Sequence, residues 1–150
     1  RATVGMANIF PNSRNVVPGR VFFSVEFRHP DEAVLALQDQ QLHAAVARIA
    51  EGIGLQASVK QIFQYAPIAF DKDCVDVVQA AAEALGYSHR RMISGAGHDA
   101  CYLNQVAPTA MIFVPCVDGL SHNEAEEIHP HWSTAGADVL LQAILASSGE

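Results

Sequence analysis

Residues 109–114 read T-A-M-I-F-V, an extended-looking run that is apolar on both faces. A strand with one wet side alternates, whereas an unbroken apolar run must be covered on both sides. That is how a buried strand of a mostly parallel sheet reads. Just before it stands the glycine-rich turn S-G-A-G-H-D-A at 94–100, and just after it the polar loop G-L-S-H-N-E-A-E at 119–126. Turn, buried strand and a loop carrying His122 form a strand-end layout, where open α/β sheets hold their ligands.

The other elements of the second half fit that sheet. Asp71 or Asp73 can cap a helix with Val75, Val78, Ala82 and Leu85 on one stripe, ended by Gly86. Residues 90–93 read as a short strand, and Ser133 can cap a terminal helix running to about Ser147. The expected architecture is the closing portion of an open, mostly parallel α/β sheet.

The first half follows a different rule. Residues 20–29 alternate, with Val21, Phe23, Val25 and Phe27 on one face and Ser24, Glu26 and Arg28 on the other. An extended segment at 2–9 precedes it, across a loop punctuated by Pro11, Pro18 and Gly19. Pro30, Asp31 and Glu32 then open a helix carrying Val34, Leu37, Leu42, Ala45, Val46 and Ile49, stopped by Gly52 and Gly54. Residues 57–64 read as another strand. This is part of a small α+β lobe with a helix on an antiparallel sheet. A boundary near Ala66 and Pro67 divides the chain into 1–66 and 67–150.

Composition excludes several classes. Half of the residues are hydrophobic and 17% are charged, which is globular usage rather than disorder. The net charge is -7 and no basic stripe is interleaved with aromatics, so no nucleic-acid partner is expected. No apolar run approaches the roughly 20 residues that span a bilayer, and no charged-then-apolar leader opens the chain. Cys74, Cys101 and Cys116 lack CxxC spacing and suit reduced thiols in a cytoplasmic protein. The chain begins at Arg1 with Thr3-Val4-Gly5 already strand-like, so a longer upstream chain is expected.

Candidate chemistry is sparse. His122, with Glu124, Glu126 and Glu127 nearby, can ligate Zn, Mn, Co or Ni, although a lone His in a polar loop is more often simply solvated. Gly95 and Gly97 permit positive φ, so that backbone N–H groups can face an anion. His98 and Asp99 read as caps of a following short helix. Cys101 and Cys116 read as inert thiols, and His129 and His131 as a surface turn. Arg28 can fork a substrate carboxylate with Asn15 adding an amide, or can pair with Glu26 or Asp31 at the surface.

Five segments occur in order: T-V-G at 3–5, P-N-S-R-N-V-V-P-G at 11–19, V-E-F-R-H at 25–29, S-G-A-G-H-D-A at 94–100, and M-I-F-V-P with G-L-S-H-N and Glu126 at 111–126. Together they resemble the N-carbamoyl-L-amino-acid hydrolase, β-alanine synthase and allantoate amidohydrolase branch of the aminoacylase/carboxypeptidase-like metallopeptidases. Glu26 stands where that branch usually has Asp, Cys116 where Ser is common, and Glu124 where Pro is frequent.

The resemblance implies a homodimeric amidohydrolase with two divalent metal ions per complete site, acting on a small ureido or N-carbamoyl amino acid. Residues 1–66 would belong to its inserted lid or dimerisation domain and 67–150 to its catalytic domain. By motif, His122 would be a metal ligand, and Asn15, Arg28 and Gly97 would meet the substrate. The remaining ligands, the Glu general base and a transition-state-stabilising His would lie upstream of Arg1. The isolated chain would then be inactive.

Overall fold

The computed structural model describes residues 1–149. The elements in order are β1 (Ala2–Phe10), β2 (Arg20–Phe27), α1 (Glu32–Gly52), α2 (Lys72–Ala84), α3 (Ala100–Leu103) and α4 (Pro130–Ser148). A short turn at Val117–Gly119 falls between α3 and α4. The chain divides into two compact units, Arg1–Ile68 and Ala69–Glu150.

In the first unit β1 and β2 pair antiparallel, with Ala2 opposite Phe27 and Phe10 opposite Arg20. The register slips between Val4 and Met6, which leaves Gly5 as the extra residue of a β-bulge. The bulge has a definite consequence. Ala7 and Ile9 share the parity of one strand face, Ala2 and Val4 that of the other. The extra residue brings all four opposite Phe23, Val21, Phe27 and Val25, and so onto one apolar face. At the hairpin's loop end the Arg20 guanidinium lies 4.3 Å from the centre of the Phe10 ring.

Helix α1 is bounded by its own sequence. The Asp31 carboxylate accepts the Ala33 N–H at 2.9 Å. At the other end Gly54 takes φ +68, while Leu55 N–H bonds Ala50 and Gly54 N–H bonds Glu51. That is the Schellman closure a glycine past the helix end allows. The half-buried stripe includes Val34, Leu42, Ala45 and Val46, as the spacing predicts, whereas Leu37 and Ile49 are exposed.

The second unit is a helix pair with an extended run against it. Asp71 caps α2 by accepting the Cys74 N–H at 2.8 Å, and Gly86 ends it at φ +74 with the same two-bond closure. Helices α2 and α4 pack together through Ala81, Ala82, Val139 and Ala143. Val77, Val78, Tyr87 and Ile112 close around that cluster. Three alanines among four core residues let the helix axes approach closely. The Tyr87 hydroxyl ties the two helices by donating to Asp138 at 3.0 Å.

The run 109–114 is anchored at several points. The Thr109 carbonyl accepts the Asp71 N–H at 3.1 Å, Ile112 packs on the helix core, and Phe113 meets the His98 ring edge-on. A Cβ built on Gly136 of α4 would lie 2.5 Å from Val114 Cγ1, so glycine is what lets α4 pass there.

Several expectations are corrected. Among the described residues the single sheet is the β1–β2 hairpin, and 57–64, 90–93 and 109–114 form no strands. The described residues are mixed helix and strand, with no parallel sheet among them. A parallel strand exists only through its neighbours' hydrogen bonds, and these 149 residues supply none. Ser133 is not a cap: Pro130 occupies the first helical position, preset by its fixed φ, and His129 stands at the N-cap.

Two predictions follow from this packing. Gly136→Ala trades about 1 kcal/mol of helix propensity against an overpacking cost of about 1–3 kcal/mol. Urea unfolding should show net destabilisation, reversed when Val114→Ala is added. Hydrogen bonding to Asp138 raises the Tyr87 pKa, with burial adding to the rise. A raised folded-state pKa stabilises below the unfolded value, and that stability is lost as pH rises through the folded one. Tyr87→Phe should therefore lower stability at neutral pH and flatten its decline above about pH 10.

Candidate functional site

Asn15 and Arg28 belong to the first unit, Gly97 and His122 to the second. Asn15 sits in the exposed loop between β1 and β2, where its side-chain oxygen accepts the Ser13 hydroxyl at 2.8 Å. Asn12 of that loop takes φ +58. Arg28 directly follows β2, and its N–H bonds the Arg1 carbonyl at 3.0 Å, which carries the ladder one residue further.

The Arg28 side chain pairs with Glu26 on the same strand face, Nε to Oε1 at 2.6 Å, with both groups about half exposed. The Arg28 hydrogen bond lowers the Glu26 pKa, and Glu26 raises that of Arg28. The pair is therefore ionised at neutral pH, with the guanidinium oriented along the strand edge. Asn15 and Arg28 are not brought together. Eight residues of extended β2 lie between the loop and Arg28, ~26 Å at 3.3 Å per residue.

In the second unit both candidate segments adjoin the run 109–114. The turn at 94–98 folds on itself: the Ser94 hydroxyl accepts the Ala96 N–H at 3.1 Å and lies 2.6 Å from His98 Nε2. Gly97 lies outside the positive-φ region, and a Cβ there would meet nothing within 4 Å. Gly97 thus does not use the positive φ that a glycine permits. Nor do the side chains of His98 and Asp99 cap the short helix α3. Asp99 stands at the N-cap with no side-chain bond, and His98 turns back to Ser94. That His98 contact is a feature that sequence reading missed, since a Ser and a His four residues apart across two glycines give no periodic signal.

His122 follows the run across a tightly folded loop. Asp118 and Gly119 both take positive φ and Leu120 N–H bonds Val117, as a type I′ turn requires. Val117 N–H reaches the Glu127 carbonyl at 2.8 Å, closing the loop at its base. His122 itself has φ +58, held by its N–H donating to the Glu126 carboxylate at 3.0 Å. Glu126 thus fixes the backbone of His122, and the imidazole is exposed.

Among the described residues no three His, Cys, Asp or Glu side chains gather into a group that could hold an ion. His129 and His131 stack at 5.6 Å between ring centres and contact Trp132, an aromatic cluster at the start of α4. All three cysteines are half-buried thiols, and burial raises the pKa of Cys74.

A self-braced glycine turn and a hydrogen-bonded loop presenting an imidazole thus both adjoin one extended run. The chain belongs to Peptidase family M20/M25/M40, whose model matches residues 4–146. It is 49% identical over 145 residues to an N-carbamoyl-L-amino-acid amidohydrolase of Rhizobium meliloti, covering 97% of this chain and 35% of that protein. It is 36% identical over 124 residues to the allantoate amidohydrolase of Escherichia coli K12, covering 83% of this chain and 30% of that one. The crystal structure of a hydantoinase/carbamoylase family amidase from Burkholderia multivorans superposes with a TM-score of 0.95 at 63% identity, over 100% of this chain and 36% of the other. The branch read from the five motifs is thereby shown. The chain spans about a third of the length of these relatives. No helix among the described residues is long and apolar enough to cross a membrane.

Proposed function

We propose that these residues form part of a metal-dependent amidohydrolase cleaving the carbamoyl or amide C–N bond of an N-carbamoyl amino acid or a ureido acid such as allantoate. The observation that carries this reading is the 49% identity, over nearly the whole chain, to a relative named for such a substrate. Residues 1–66 serve as part of a lid or dimerisation domain and 67–150 as the later part of the catalytic domain, in the cytoplasm. Neighbouring strands for the run 109–114 then come from catalytic-domain sequence outside these residues.

Each candidate has a role set by its chemistry. Arg28 binds the substrate carboxylate, its fork already ionised and aligned by Glu26. Asn15 offers an amide to the substrate's polar groups, and Gly97 offers its backbone N–H. His122 supplies one imidazole ligand, its backbone fixed by Glu126. A bound divalent ion, Zn, Mn, Co or Ni and two to a complete site, supplies Lewis-acid activation of water and carbonyl. One imidazole does not make such a site. The other ligands and the Glu general base are therefore assigned to sequence outside this chain, and the 150 residues alone are inactive.

The hairpin geometry supports the homodimer. A small ureido acid cannot touch Asn15 and Arg28 of one chain when ~26 Å of strand separates them. Two copies can each present one end of the hairpin to the same substrate. A second reading is favoured by the incomplete donor set: a non-catalytic dimerisation or ligand-binding module. Metal analysis and sedimentation of the 150-residue chain separate the two. Tightly held stoichiometric metal would argue against a bare module.

In the complete polypeptide that carries these residues, chelation should abolish hydrolysis of N-carbamoyl amino acids and added metal should restore it. His122→Ala should lower activity at least a hundredfold with loss of bound metal, the scale seen when support of a metal site is removed. Full activity with intact metal content would sink that assignment. Arg28→Ala should raise KM for carboxylate substrates by about tenfold or more while leaving kcat less affected. An unchanged KM would return Arg28 to a purely structural partner of Glu26.

A further inference from the structure

We propose that Ser94 is a positioning residue whose hydroxyl braces the 94–98 turn and so sets the Gly97 peptide that receives the substrate. The inference rests on the role given to Gly97 above. Between Ser94 and His98 the chain runs through Gly95, Ala96 and Gly97, and two glycines in three residues carry large conformational freedom. An unbraced turn would present its N–H groups in many directions, and ordering them would have to occur on binding.

One side chain removes that freedom from both sides. The Ser94 hydroxyl has one proton and two lone pairs. It accepts the Ala96 N–H at 3.1 Å and shares a hydrogen bond with His98 Nε2 at 2.6 Å. The turn is thus pinned at its middle and at its far end by the residue that begins it. Phe113 closes the third side, its ring 5.5 Å from that of His98 and set edge-to-face. His98 is half-buried, and its carbonyl accepts the Cys101 N–H at 2.9 Å as α3 begins. The ring is therefore held by Ser94 on one side, Phe113 on another and its own backbone below. Gly97, between Ala96 and His98, is fixed by two neighbours although it makes no side-chain contact itself. Pre-ordering of this kind strengthens binding by removing an entropic cost.

The test uses the complete polypeptide with Ser94→Ala, Ser94→Thr, His98→Ala and the Ser94→Ala/His98→Ala double variant. Amide exchange at Ala96 and Gly97 should accelerate about five- to tenfold in Ser94→Ala, the net scale of one hydrogen bond. KM for an N-carbamoyl amino acid should rise by a similar factor with a smaller change in kcat, and Ser94→Thr should restore both. The double variant should cost no more than the larger single one, because the two residues act as one brace. Unchanged exchange at Ala96 and Gly97 would overturn the brace whatever the activity. Faster exchange with unchanged KM in an active enzyme would overturn its bearing on substrate. A parent enzyme with no activity on the N-carbamoyl series would overturn the functional reading itself, which the exchange rates keep separate from the brace.

Discussion

The passage of α4 across Val114, open only because residue 136 has no side chain, sets the geometry of the second unit. With that approach fixed, alternate residues of the run 109–114 divide their work. Ile112 and Val114 meet the helices, while Phe113 meets His98. The run's start is tied to α2 through Thr109, and its end leads into the loop that holds His122. A single extended segment thus connects a small alanine-rich core to both candidate segments of that unit. Core packing and the two candidate segments are coupled through six residues.

Helix ends were the most legible part of the fold, because capping is written locally. Asp31, Asp71, Gly54 and Gly86 each perform the role their residue type predicts, with bonds confined to a few neighbours. Ser133 misled because serine is a good cap only where the backbone is not yet helical, and Pro130 had already started the helix. Strands were less legible. Pattern shows that 109–114 is extended and apolar, but pairing is a property of two segments. The β1–β2 hairpin could be read because both partners lie close in sequence, yet its bulge could not be placed from alternation.

The candidate site was legible through ordered motifs more than through spacing. His122 stands alone among acids, and only the surrounding segments made it a credible ligand. The structure adds what holds it: positive φ at 122 and a carboxylate from Glu126 on its backbone. Arg28 gained a partner the alternation had already placed on its face, Glu26. The Ser94–His98 bond had no pattern to announce it, since glycine turns have no period.

The extra residue in β1 can be viewed as a change of phase. Strand faces repeat every two residues, so only an odd insertion exchanges them. Replacing Gly5 by a small residue would leave that phase intact, for a side chain there meets open space. Pairing Gly5 as an ordinary ladder residue opposite Val25, without the bulge, would invert residues 1–4 as a block, sending Ala2 and Val4 to the polar side and Thr3 to the apolar one. The strand edge that holds Arg28 at its carboxyl end would then face a partner turned over.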